Sequence, residues 1–222
     1  MRLVVAEILP LALVVMISPL NVIPAILLLF ADRPLLKAPL FLLGFVVGVG
    51  VVLAAFVAIA SSIDVSWGSG SSPWGAVVRA ALGIYLVVAG IRKLRTKAAA
   101  EGAGLPRWMD GLIAASPTRA AGFGVVLGAA NPKNLAVAVA ASISVAGAAL
   151  SAAHQAIVVV IYALIASLGV AAPIVTMVIL GDRSTAVLES WRTWLEKNNA
   201  TVMAVLFFVF GIALLSQALG AA

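Results

Sequence analysis

Asn131-Pro132-Lys133-Asn134, set deep inside the apolar run Ala120–Leu150, decides how this chain folds. Asn is a preferred helix N-cap, because its side chain accepts a bond from an otherwise orphaned backbone N–H. Proline suits the first helical position, where a missing N–H costs nothing. The tetrapeptide therefore predicts that one helix stops here and another starts. Pro132 lies 12 residues past Ala120. That is about 18 Å of helix, near the middle of a hydrocarbon core about 30 Å thick. Ser18-Pro19-Leu20-Asn21 repeats the pattern inside the first apolar run and predicts a second break at similar depth. Backbone groups freed in hydrocarbon cost several kcal/mol each, so such breaks persist only under cover of protein or a wet cavity.

The rest of the chain makes lipid the solvent. Of 222 residues, 64% are hydrophobic and 10% charged. A typical globular chain is about 45–50% apolar and about 25% charged. A bacterial outer-membrane barrel is excluded by pattern, since its strands alternate apolar and polar residues and these runs are unbroken. Six runs are long enough to cross: Leu3–Ala31, Pro39–Ser62, Trp74–Ile91, Ala120–Leu150, Ala156–Leu180 and Thr201–Leu219. The first is read as a retained span. It is too long for a signal-peptide core, three prolines interrupt it, and no A-x-A site closes it. The absence of cysteine and the single histidine remove disulfides, thiol redox chemistry and His-rich metal sites.

Lys and Arg set the expected orientation. Arg33 and Lys37 follow span one; Arg92, Lys93, Arg95, Lys97, Arg107 and Arg119 follow span three; Arg183, Arg192 and Lys197 follow span five. Only Arg2 and Arg79 fall towards the other side. The three basic connections are expected in the cytoplasm and both termini outside. The net charge of +6 then reflects topology and contact with anionic lipid, with no nucleic-acid partner. Ser184–Asn198 carries Val187, Leu188, Trp191, Trp194 and Leu195 on one helical face, which predicts an amphipathic helix along the cytoplasmic interface. Ala98–Thr118, with Gly102, Gly104, Pro106 and Pro117, is expected to be partly mobile. The five tryptophans lie at or beyond span ends, where aromatic belts form.

The halves resemble each other. Both broken spans carry [Ser/Asn]-Pro-x-Asn, and spans three and six share Gly-Ile-x-Leu, at Gly83-Ile84-Tyr85-Leu86 and Gly211-Ile212-Ala213-Leu214. Pro19 to Gly83 is 64 residues and Pro132 to Gly211 is 79; the excess of 15 equals the length of 184–198. Three spans per half is odd, so the second half enters the membrane inverted, a recurring plan in transporters. The expected architecture is an all-α membrane protein of six transmembrane helices. Residues 1–97 form the first repeat, 98–119 a cytoplasmic connection, and 120–222 the second repeat.

With the halves inverted, the two half-helix N-termini approach near the midplane, each with partial positive charge. Lys133 adds a full one. A lysine at that depth is penalised by about 2.5–3.5 kcal/mol on insertion scales. One reading is a cavity that binds an anionic group through Lys133, Asn21, Asn134 and backbone N–H groups, with Ser18, Asn131, Pro19 and Pro132 building the site. The other is that Lys133 caps carbonyls of the broken helix or pairs with a buried acid. Pro24 is expected to kink the helix after the first break. Arg119 either guides an anionic headgroup inward or anchors topology. Asp32-Arg33 either ends span one at the cytoplasmic face or serves as a gate, Glu7 and Asp64 are either interfacial or carry protons, and His154 is solvated. Gly44-Gly48 and Gly124-Gly128 let helices pack closely, within one chain or between two. No phosphate loop and no nucleophile–base–acid set occurs, so enzymatic activity, a metal and a cofactor are not expected.

The stretch Pro106-x-Trp108, Asp110, Pro117-x-Arg119-Ala120, Gly122 and Asn131-Pro132-Lys133-Asn134-Leu135 resembles the peptidoglycolipid- or sulfolipid-addressing membrane proteins of the lysine-exporter superfamily. So do Ser18-Pro19 with Pro24 and, after a short basic connection, Gly44-Phe45. Amino-acid exporters of that superfamily carry Pro-Gly-Pro in the first span; Pro19-Leu20-Asn21 departs from it and favours the lipid-addressing branch. The resemblance implies a homodimeric plasma-membrane protein that helps move cell-envelope glycolipids outward. Two other functions fit the same residues. One is export of amino acids or other small solutes; the other is a scaffold recruiting lipid-synthesis or export machinery through its cytoplasmic connections.

Overall fold

Both predicted breaks are present in the computed structural model, which describes residues 2–62, 73–100, 108–148 and 150–220. Helix α1 (Arg2–Met16) gives way to α2 (Pro19–Leu29) through a 51° bend. Helix α6 (Pro117–Ala130) gives way to α7 (Pro132–Gly147) through 57°. Each second helix begins at the motif proline, as the fixed proline φ and absent N–H favour. Pro24 lies inside α2 without ending it.

The remaining helices are α3 (Pro34–Ser62), α4 (Pro73–Ala100), α5 (Trp108–Ile113), α8 (Ala152–Leu180) and α9 (Ser184–Gly220). Among the described residues every regular element is helical. Two stretches are long and apolar enough to cross a membrane, Pro34–Ser62 and the helical run Ala152–Ser216. Each bent pair adds one more when read as a single span, for up to four. Asp64, Trp67, Gly102, Gly104, Pro106 and Arg107 lie outside the described residues.

One expectation is corrected. Residues 184–198 do not form a separate interfacial helix: they are the first part of α9, 37 residues without interruption. Neither Gly nor Pro separates Asn198 from Thr201, so nothing stops the helix. Its apolar face is divided: Leu188 is fully buried and Leu195 packs on Ile23, Leu27 and Met109, while Trp191 and Trp194 are exposed. The chain reverses just before it, at a 3₁₀ turn (Gly181–Arg183) where Gly181 has φ +52°, a conformation that glycine adopts without a Cβ clash.

Small residues set the helix contacts. Gly44 and Gly48 on α3 face α6 so closely that an added methyl would strike the Ala121 and Val125 carbonyls. Gly124 and Gly128 on α6 return the contact against Phe41 and Phe45. These pairs therefore serve packing within one chain. Helix α4 crosses α9 at the two glycines of the shared Gly-Ile-x-Leu motif. A methyl on Gly83 would lie 2.9 Å from the Gly211 carbonyl, and one on Gly211 would lie 2.9 Å from the Gly83 carbonyl.

At one end the basic connections gather. Lys37, only 2% exposed, donates to Asp32 Oδ1 at 2.5 Å and to the Ile113 carbonyl of α5 at 3.2 Å. Met109 of α5 packs under Ile23 and Leu27 of α2. Part of the predicted cytoplasmic connection is thus docked.

Candidate functional site

The two helix C-termini at the breaks would leave carbonyls of α1 and α6 without partners. Side chains of the two motifs supply them. Asn21 Nδ2 donates to the Val15 carbonyl, six residues back, at 2.9 Å. Asn134 Nδ2 does the same in the other half, to Gly128 at 3.4 Å and Leu127 at 3.1 Å. The last residue of each [Ser/Asn]-Pro-x-Asn motif therefore sews its new helix to the old one.

The first residues of the motifs behave differently. Asn131 Oδ1 accepts from the Lys133 backbone N–H at 3.1 Å, the expected cap. Ser18 makes no side-chain cap; its buried hydroxyl lies 3.9 Å from Met203 Sδ on α9. Packing against α9 directs it away from its own helix. The two breaks touch directly, Asn131 Nδ2 donating to Asn21 Oδ1 at 3.5 Å. Ser18, Asn21, Asn131, Lys133 and Asn134 are all buried.

Lys133 bridges the halves. Its ammonium reaches from α7 to the Val14 carbonyl near the end of α1, at 3.0 Å. A cation there also meets the negative end of the α1 dipole. Capping of a broken helix, one of the two expected roles, is thus present. The other expected structural role is not: among the described residues no carboxylate pairs with Lys133. An ammonium has three donors, and one is used. On the next residue of α7, the buried Oδ1 of Asn134 accepts nothing. The two together offer unspent donors and an unspent acceptor. No cluster of metal-ligating side chains occurs among the described residues.

Arg119 stands apart. It lies exposed in the first turn of α6, where Ser116 caps its backbone N–H, and twelve residues of helix, about 18 Å, separate it from Asn131. Sequence reasoning missed a cavity of about 720 Å³ that begins at the first break. Met16, Ile17 and Val22 line it from α1 and α2, Leu168, Gly169 and Ala172 from α8, and Ser190, Trp191, Trp194 and Leu195 from α9. The signal was the apolar face of 184–198, expected at the membrane interface; Leu195 of that face packs against α2 while Trp191 and Trp194 stay exposed. Gly169 lets α8 come up to the Met16 carbonyl at the cavity floor.

Apolar helices, two bent helix pairs and a buried cation where they meet define an all-helical membrane protein with a polar junction inside it. The chain belongs to the family described as Sap, sulfolipid-1-addressing protein, whose model matches residues 8–220. No curated protein and no solved structure matches it.

Proposed function

We propose that this protein is a transporter that carries the polar head of a cell-envelope glycolipid past the paired helix breaks while the tails remain in hydrocarbon. Lys133, Asn21 and Asn134 contact the head, and Ser18, Asn131, Pro19 and Pro132 hold the geometry. The carrying observation is the Lys133 ammonium: buried, bonded to a single carbonyl, and lacking a carboxylate partner among the described residues. Burying a charge without a counterion is expensive, so an arriving anionic group finds a donor already stripped of water. Family membership supports a sulfolipid-related cargo.

The same reading takes the chain as two inverted three-helix repeats in the plasma membrane, working as a pair of protomers. Its support is the reciprocal contact of Gly83 with Gly211 and the way Asn21 and Asn134 each reach back across their break to a carbonyl six residues earlier, Asn134 also to the one before it. An apolar cavity beside the break favours an amphiphile over a small water-soluble solute. Replacing Lys133 with alanine tests the proposal in cells, with glycolipid extracted from the outer surface and the protein quantified in membranes. Export per unit of membrane protein falls; undiminished export per unit of protein overturns it.

A further inference from the structure

The junction is closed in this structure: Asn131, the most open of its five polar side chains, is 8% exposed. A cargo head reaches Lys133 only after some element moves. Towards the basic end the junction continues as α2, in which every residue from Asn21 to Leu29 is buried. The helices packed around α2 are α3, α5, α8 and α9. Moving α3 would uncover nine buried residues and moving α8 eight, while α9 runs for 37 residues. Helix α5 has only six. An isolated helix shorter than about 12–15 residues is marginal in water, so α5 stays helical only while docked. Met109 and Leu112 are its buried side chains among those described, and local opening draws on such weakly anchored elements.

One ammonium pins it. Lys37 of α3 donates to the Ile113 carbonyl, at the negative end of α5, and to Asp32 on the turn between α2 and α3. That turn holds Arg33 at φ +52°, a conformation uncommon for a residue other than glycine. The second attachment is apolar. Met109 lies on Ile23 and Leu27, in a cluster that extends to Leu20 beside the break and to Leu195 of α9.

We propose that α5 is a latch that holds α2 in its closed position and leaves it in each transport cycle. The inference rests on the transport reading and adds to it the step that opens the basic end. Release requires Lys37 to give up one carbonyl while Asp32, itself 73% exposed, keeps the charge compensated. No bare ion is left buried on the way, which is the costly outcome.

The chain contains no cysteine, so introduced pairs are the only source of a disulfide within it. Ile23→Cys with Met109→Cys, and Leu27→Cys with Met109→Cys, fasten α5 to α2 in cells treated with diamide. Glycolipid newly arriving at the outer surface is measured per unit of membrane protein. Export by the cross-linked protein is expected to fall about tenfold and to return with dithiothreitol, while native protein under diamide keeps its export. Cross-linked protein that exports as well as its reduced form overturns the latch, as does failure of both pairs to close. Hydrogen exchange on the native chain in phosphatidylcholine nanodiscs judges the latch without export. The Leu112 and Ile113 amides should exchange at least about tenfold faster than those of Ile26–Leu29; equal protection means that α5 and α2 open only together and overturns it. The Lys133→Ala variant keeps the two readings apart. Export lost there beside an active cross-linked protein removes the latch alone, whereas export intact there beside a blocked one removes the headgroup reading and upholds the latch.

Discussion

Asn131 donates its side-chain amide to the side-chain carbonyl of Asn21, 110 residues away, at 3.5 Å. That bond joins the two places where the helices stop and restart. Asn21 simultaneously serves Val15, and Asn131 serves the Lys133 N–H. Each amide thus spends one end on its own break and the other on its partner's. The junction tolerates interrupted helices in an apolar setting because the breaks satisfy each other.

Asn21→Leu tests that economy. It leaves the Val15 carbonyl and the Asn131 amide buried without partners, at about 1–3 kcal/mol for each unsatisfied group. Hydrogen bonds between membrane helices often measure less, averaging about 0.6 kcal/mol by double-mutant cycles. The thermal midpoint in detergent should fall clearly, and Asn21→Leu combined with Asn131→Leu should cost less than the two separately. Strict additivity would mean that the two side chains act independently.

The Gly83–Gly211 crossing makes a sharper steric prediction. Each methyl would sit 2.9 Å from the opposite carbonyl, so Gly83→Ala and Gly211→Ala should each destabilise by about 1–3 kcal/mol, as overpacking does. Because the contact is reciprocal, the two losses should be similar. Gly122 is a helical glycine with open space around it, and Gly122→Ala should gain roughly 0.5–1 kcal/mol from helix propensity. Equal behaviour of Gly83→Ala and Gly122→Ala in a thermal melt would rule out the crossing.

The breaks were legible because Asn-Pro and Ser-Pro act through local chemistry, capping and a missing N–H, which needs no knowledge of neighbours. The Gly-Ile-x-Leu repeat pointed to two related positions, and they proved to touch. What the sequence could not assign was the destination of a face. Val187, Leu188, Trp191, Trp194 and Leu195 look the same whether they meet headgroups or α2. Hydrophobic periodicity reports that a stripe is buried without reporting in what. Ser18 failed as a side-chain cap for the same reason, since Met203, 185 residues on, took its hydroxyl. Lys133 was legible as a misplaced charge, but its bond to Val14 depended on tertiary placement.

Lys37 and Asp32 predict a pH dependence. The hydrogen bond from Lys37 is the main cause holding the Asp32 carboxyl below its ordinary value of 3.8. A carboxyl that binds protons less readily when folded stabilises the fold above its unfolded value, and the stabilisation is lost as pH falls through the folded value. Asp32→Asn should therefore lower the thermal midpoint at pH 7 and weaken its decline below pH 3.8. It also leaves the buried Lys37 ammonium with the Ile113 carbonyl alone, loosening α5. Protection of Trp108–Ile113 in hydrogen exchange should drop. An unchanged acid limb in the variant would show that this pair does not couple to folding.

Lys133 combines two duties that substitution can pull apart. It caps α1 through Val14 and carries a charge without a carboxylate partner among the described residues. Lys133→Gln retains a donor long enough to approach Val14 and removes the charge, so the thermal midpoint should stay near that of the native protein. Removing the buried charge also removes its desolvation cost, which opposes any loss of stability. Export should nevertheless fall by about tenfold or more, the loss of an interaction of at least about 1.4 kcal/mol. Lys133→Met removes both the donor and the charge, and should lose stability and export together. Lys133→Arg keeps a cation and should retain more export than Lys133→Gln at equal membrane level. If glutamine and arginine export alike, the side chain at this junction serves the helix break and the charge plays no part in moving the cargo.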